Sequence, residues 1–503
     1  MSAEEPPGLE LLYEGAAAYQ RGDIAEALRI FEHAVDTTTD GVHTSALINA
    51  ASMYDELGDH HRAAVRYRAA LARIPADARE KRASTLINYS QALQHLGSLD
   101  EAQAVLEQAR DLLTDATDLG VLRVSCLLSL SAVAAHRSQW SRVIETATES
   151  LDTALRFAPH LAGHPLMNLA GAYFETGRRE LGVDFAQQAL AAFTAAGDHN
   201  AVADTQQNLA QLFGRLDRLD EAEELVLASQ AYYERAGLRY RAGVGWKIRG
   251  FLAECRGEVD RADEWYRRGL DCFQDSGAVL DAASVQCRLA TVAYARGLVG
   301  HGQRLLDAAF TVYAERGLGL QCAQLDYWHA VLVQMVVDDM DSPPAELLAL
   351  GRALAVPAAI TIDAVRYTLP DGSQREQWNR EVADPAVRLA FRFAYLCGDA
   401  RLLTDLIETQ CAGTTLDTTS GERVERPQFP LDDPVPPTAG ESGSGPLHLG
   451  AALARVAAAA GLPVAPPARL AVGPDARIAL GDYIAAAEQR YGQRVREDRV
   501  IAV

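Results

Sequence analysis

Asn49, Asn88, Asn168 and Asn208 fall 39, 80 and 40 residues apart. Each takes the sixth position of a helical stretch that opens a recurring unit. A carboxamide offers two N–H donors and a carbonyl acceptor, which complement the backbone of an extended peptide. Asn is a mediocre helix former, so its recurrence at one position needs a reason. Two are open: a row of amides that holds a peptide backbone, or bonds that tie each unit to the next. At about 100° per residue, positions 2, 5, 6, 9, 12 and 13 of such a helix lie opposite its packed face. That stripe also carries Ile87, Met167, Phe174, Phe251 and Tyr294, with Gln211, Arg215 and Lys247 among them. Apolar side chains between amides would form pockets for the side chains of a bound segment. His95, His136 and His164 share the stripe.

Other chemistry is sparse. Cys411, in Gln410-Cys411-Ala412-Gly413, could be paired on paper with His329 or His448 as a nucleophile and base. A Cys at a helix end beside a linker is read as structural. His60-His61 follows a turn and is expected to be solvated; as a metal pair it lacks further ligands. There is no phosphate-binding loop and no nucleophile elbow. The expectation is therefore no catalytic residue, no metal and no cofactor.

The elements that must position the amides repeat along the chain. Gly22-Asp23, Gly58-Asp59, Gly97-Ser98, Ser138-Gln139, Gly177-Arg178, Asp217-Arg218, Gly257-Glu258 and Gly297-Leu298 are spaced by 36, 39, 41, 39, 40, 40 and 40 residues. In one unit, Leu47, Ala51 and Tyr54 precede the turn at helical spacing. Ala63, Tyr67 and Ala70 follow it, and Pro75 closes the unit. Small residues let two antiparallel helices approach closely. Self-similarity at this period is the mark of a solenoid.

The units resemble the tetratricopeptide repeat. The best match is Trp246, Gly250, Gly257, Ala262, Tyr266 and Gly269, and the fourth unit, with Leu127, Ser131, Ala134, Trp140, Ala147 and Ser150, is the poorest. The family period is about 34 residues; the longer one here points to a long-repeat subgroup that includes peptide-binding scaffolds and bacterial peptide-sensing regulators. The resemblance implies an all-α, right-handed α-solenoid of about eight to nine helix pairs, with the asparagine stripe lining its concave groove. The family's carboxylate clamp needs basic residues where this chain has Ser45, Ile48, Ser84, Ile87, Ser125 and Leu128, so that activity is not expected. The C-terminal third resembles actinobacterial repeat proteins, some related to carriers of caspase-like CHAT protease domains, whose His and Cys motifs are missing here.

The expected organisation is a solenoid over 8–317, a helical cap with a possible ninth unit over 318–412, a flexible Pro/Gly/Ser-rich linker over 413–445, and a small C-terminal segment over 446–503. The cap reads as helix from Ala323 to Val337, then from Pro343-Pro344, Pro357 and Pro385. The tail reads as a helix Leu447–Ala460, a hairpin Arg469–Leu480, a helix Asp482–Tyr491 and a strand Arg499–Val503. The formal net charge of −21 disfavours a phosphate backbone as partner. Only Lys81 and Lys247 are lysines among 47 basic residues, which points to a GC-rich, actinobacterial genome. Seven cysteines without a Cys-x-x-Cys pair read as buried thiols of a reducing cytoplasm. No signal peptide and no membrane span are read. These features favour a non-enzymatic scaffold or adaptor that binds a linear peptide segment of a protein partner. The alternative is a ligand- or peptide-sensing regulatory subunit of a bacterial signalling, proteolytic or defence assembly.

Overall fold

The computed structural model describes residues 8–21, 23–114, 119–369, 372–411, 415–416, 464–465, 467–473 and 475–502. They divide into two compact units: Met1–Glu175 with Arg179–Arg316, and Thr176–Arg178 with Gly317–Val503. The expected helix Leu447–Ala460 and nearly all of the expected linker lie outside the described residues.

The first unit is eight helix pairs in sequence. They are α1 (Leu9–Gln20) with α2 (Ile24–Thr37), α3 (Asp40–Glu56) with α4 (His60–Leu71), and α5 (Arg79–His95) with α6 (Leu99–Leu113). Then come α7 (Gly120–His136) with α8 (Trp140–Phe157), α9 (Gly163–Glu175) with α10 (Arg179–Ala196), and α11 (His199–Arg215) with α12 (Leu219–Ala236). The last are α13 (Arg239–Cys255) with α14 (Val259–Ser276), and α15 (Val279–Ala295) with α16 (Val299–Ala314). First helices of successive pairs also touch one another, as α3 does α5 and α13 does α15.

Local sequence explains the pairing. The within-pair turns take left-handed backbone: φ is 85° at Gly58, 71° at Gly97 and 74° at Gly257. Ser138 and Asp217 adopt the same conformation at 55° and 61° without being Gly, at a cost of about 1–2 kcal/mol each. Asp23 and Asp59 then cap the second helices, accepting from the backbone N–H groups of Glu26 at 3.0 Å and Arg62 at 3.1 Å. Four residues past each cap stands the closest approach: Ala27, Ala63, Ala102, Ala222 and Ala262 have no exposed surface. Gly182 serves there in the fifth pair, where a Cβ would lie 2.8 Å from the Ala170 carbonyl oxygen. One turn further, Phe31, Tyr67, Leu106, Val226, Tyr266 and Leu306 fill the core between the pairs.

The second unit holds α17 (Gly319–Asp338), α18 (Ala345–Ala364), α19 (Gly372–Trp378), α20 (Asp384–Leu396) and α21 (Ala400–Cys411). Pro357, read above as a helix start, lies inside α18. α18 is apolar around its circumference and packs on α17, α20 and the tail helix, so tertiary burial overrides the break. Ala345–Thr368 is long and apolar enough to cross a membrane, with a mean hydropathy of 1.6, which corrects the reading that no such run exists. Most of it is covered by protein. A π-helical turn, Asn379–Ala383, joins α19 to α20.

The tail folds onto this unit. β3 (Arg469–Val472) pairs antiparallel with β4 (Arg477–Ile478) and parallel with β5 (Val500–Ala502), around α22 (Gly481–Tyr491). Inside the expected linker, β1 (Thr415–Leu416) pairs antiparallel with β2 (Val464–Ala465). Two carboxylates fasten the tail. Asp326 of α17 accepts from Arg490 at 2.5 and 2.9 Å and from the Tyr491 hydroxyl at 2.8 Å. Asp405 of α21 accepts from Arg477 at 2.6 and 2.7 Å and from the Leu480 backbone N–H at 3.1 Å.

Candidate functional site: the interior groove of the repeat array

The first helices of the pairs carry the predicted stripe, and the structure divides its residues three ways. Asn49 and Asn88 line an open cleft of about 370 Å³ with Ser52, Asp55, Glu56, Tyr67 and Gln91. Gln211, Arg215, Lys247 and Phe251 line a second, smaller one of about 90 Å³ with Tyr266, Ser284 and Arg288. Asn208 is exposed and Asn168 half-buried. None of the four asparagine carboxamides hydrogen-bonds to a described residue.

Ile87 and Phe174 are 2% exposed and Tyr294 7%, so these three belong to the core and not to an open groove. Met167 is partly buried against two core clusters. The reason is that a first helix has neighbours on three sides: its own partner and the first helices before and after it. The apolar positions beside the asparagine row are used between repeats. Arg215 lies over the Phe174 ring at 4.6 Å and pairs with Glu175. Lys247 pairs with Asp281 at 3.4 Å, and Arg288 with Glu254 at 3.4 Å. The cations of the smaller cleft are therefore already matched by carboxylates.

The groove is bridged within this unit. His60, expected in solvent, is 1% exposed. Its Nδ1 lies 2.7 Å from Asp55 Oδ1, and its Nε2 is buried without a hydrogen-bond partner. Its ring stacks on His95 at 4.1 Å. Tyr240, from the seventh pair, meets both rings edge-on at 5.2 and 4.8 Å. The Tyr240 hydroxyl donates to Asp281 at 3.0 Å. The start of α4 and the end of α5 thus touch the start of α13. The same closure brings Gly58 against Ser276 and Tyr240, and Gly97 against Arg316.

Electrostatics follow from this enclosure. Burial, reinforced by His60, drops the His95 pKa to about 4. His136 is solvent-accessible, yet protein surrounds it closely enough that burial lowers its pKa too. Burial alone would raise Asp281, but Lys247, His95, Tyr240 and His136 together hold it below the usual carboxylate range. Burial raises Glu56, with Arg241 opposing. Arg241 itself is engaged by Asp204, which also accepts from Tyr233.

His60, Asp55, Glu56, Tyr240, Asp281, Asp204 and Arg241 were not singled out as site residues from the sequence. One signal was there: Glu56, His95, His136, Glu175 and Arg215 end successive first helices at spacings of 39, 41, 39 and 40, a row of ionisable groups at one register.

Residues 162–235, covering α9 to α12, match the family model described as tetratricopeptide repeat. Over those residues the chain carries tetratricopeptide repeats. No curated protein matches it. Among solved structures, a Rap protein complexed with competence and sporulation factor is similar at 11% identity and a TM-score of 0.46, covering 72% of this chain and 99% of that one. The apo quorum sensor NprR from B. thuringiensis is similar at 14% identity and a TM-score of 0.41, over 72% of this chain and 96% of its own. BtubC from P. vanneervenii is similar at 23% identity and a TM-score of 0.33, over 44% and 91%. The described cysteines are all free. Cys255 is exposed, against the expectation of buried thiols, while Cys126 and Cys322 are buried. His329 is buried in α17. His448 and the Cys411 side chain lie outside the described residues.

Proposed function

We propose that this protein is a non-enzymatic scaffold that binds a linear peptide segment of a protein partner along the interior groove of its repeats. The observation that carries the reading is the row of carboxamides at Asn49, Asn88, Asn168 and Asn208, none of them fully buried and none hydrogen-bonded to a described residue. Amides that stitched neighbouring repeats together would be paired across them. Unpaired donors and acceptors at a spacing of one repeat suit the N–H and C=O groups of an extended chain. A sensing role is the second reading. It is favoured by the contact of Tyr240 with His60 and His95, because a ligand entering between these helix ends would have to part them and change the pitch of the array.

The test is a display selection of short random peptides on the full chain, followed by affinity measurements on the quadruple variant N49A/N88A/N168A/N208A. Each lost hydrogen bond is worth about 0.5–1.5 kcal/mol, so the variant should bind a selected peptide at least about 30-fold more weakly. Its melting temperature should hold, because Ala is the better helix former. Unchanged affinity, or a selection that yields no peptide, overturns the reading.

A further inference from the structure

The larger cleft has a chemistry of its own. Its polar lining is two carboxylates, Asp55 and Glu56, three carboxamides, Asn49, Asn88 and Gln91, and the hydroxyl residues Ser52, Tyr19 and Tyr67; among the described residues no lysine, arginine or histidine lines it. Its floor is apolar and firm: Met53 and Tyr67 are 5% and 2% exposed. The Asp55 carboxylate has one partner, His60. Glu56 has no hydrogen bond and no ion pair with any described residue. Arg241 attracts Glu56 but is ion-paired with Asp204. A partly enclosed carboxylate that shares its counter-charge with another carboxylate carries a desolvation cost, and burial raises its pKa against the pull of Arg241. The smaller cleft is the contrast, since there every charged side chain is matched.

We propose that this cleft is a specificity subsite for one cationic side chain, arginine or lysine, of the bound peptide. The proposal rests on the peptide-groove reading above. The stem of such a side chain would lie on Met53 and Tyr67, as long basic side chains do on apolar surface. Its head would meet Glu56 and the free edge of Asp55. The carbonyl oxygens of Asn49, Asn88 and Gln91 would take the remaining N–H donors, of which a guanidinium has five. A neutral or acidic side chain would leave Glu56 with only the Arg241 that it shares with Asp204.

The probe is an arginine-containing peptide from the selection on the full chain, and its counterpart with citrulline in place of that arginine. Citrulline keeps the length and most of the polarity but removes the charge. Wild-type protein should select peptides with arginine or lysine at one fixed position and should bind the citrulline form about 10- to 100-fold more weakly, as loss of a partly buried charge-assisted contact does. Glu56→Gln should narrow that preference to a few-fold, because Asp55 remains. Because Glu56 bonds to nothing, this variant should melt no lower than wild type at pH 7. Equal affinity of wild type for both forms, or an undiminished preference in Glu56→Gln, overturns the subsite. The quadruple asparagine variant separates the two ideas. If it loses binding while the citrulline comparison is flat, the groove stands and the subsite falls. If it binds as wild type, the groove reading falls as well.

Discussion

Replacing His95 by Phe should flatten the acid sensitivity of the repeat array. In the folded protein the His95 ring stacks on His60 and meets Tyr240 edge-on, and its pKa falls to about 4 because burial and the neighbouring His60 oppose a positive charge. Unfolded, a histidine titrates near 6.5. A base whose folded pKa is depressed binds its proton more readily in the unfolded chain, so protonation favours unfolding. Above about pH 6.5 the penalty is absent; it grows as the pH falls and is complete near pH 4. A shift of this size corresponds to about 3 kcal/mol at 1.36 kcal/mol per unit. Phe keeps an aromatic ring against His60 and Tyr240 but carries no titrating group. His136 and His164, also depressed by burial, remain in both proteins, so the difference isolates His95. Urea unfolding followed by far-UV circular dichroism at pH 7 and pH 4 measures it. Wild type should lose about 3 kcal/mol more than His95→Phe over that interval. Parallel losses in the two proteins would refute the placement of His95 in an enclosed groove.

Two further outcomes follow from the structure. Asp326→Ala should loosen the tail by about 2–4 kcal/mol, because it leaves the buried Tyr491 hydroxyl unpaired while the half-exposed Arg490 returns to water; hydrogen exchange over 467–502 should rise, and full protection would refute the anchor. Burial pushes the Cys126, Cys287 and Cys322 thiols up to about 12, so a disulfide reagent at neutral pH should modify the exposed Cys255 before those three, and prompt labelling of Cys126 in the folded protein would contradict its packing.

The repeats were legible in the sequence because each pair is a local object. A turn residue, a cap, a small residue four positions on and an aromatic or aliphatic residue one turn further lie within a dozen positions of one another, and the helix period does the rest. The four asparagines were found the same way, by register within the first helix. Register could not say how far the packed face extends. Ile87, Phe174 and Tyr294 sit beside the asparagine row in the helical projection, yet helices of adjacent pairs bury them. Pro357 misled for a related reason: its break signal is local, and the apolar surroundings of α18 outweigh it.

What the sequence determined alone was the unit, its period and the residues each first helix presents. Only the tertiary structure decided what those residues meet. His60 is solvated or buried, and Glu56 paired or unpaired, according to which helix arrives four or five pairs later. The pitch that brings Tyr240 onto His60 and His95 is the accumulated rotation of many inter-repeat contacts. A small rotation at each contact sums along a solenoid. No single repeat encodes that sum.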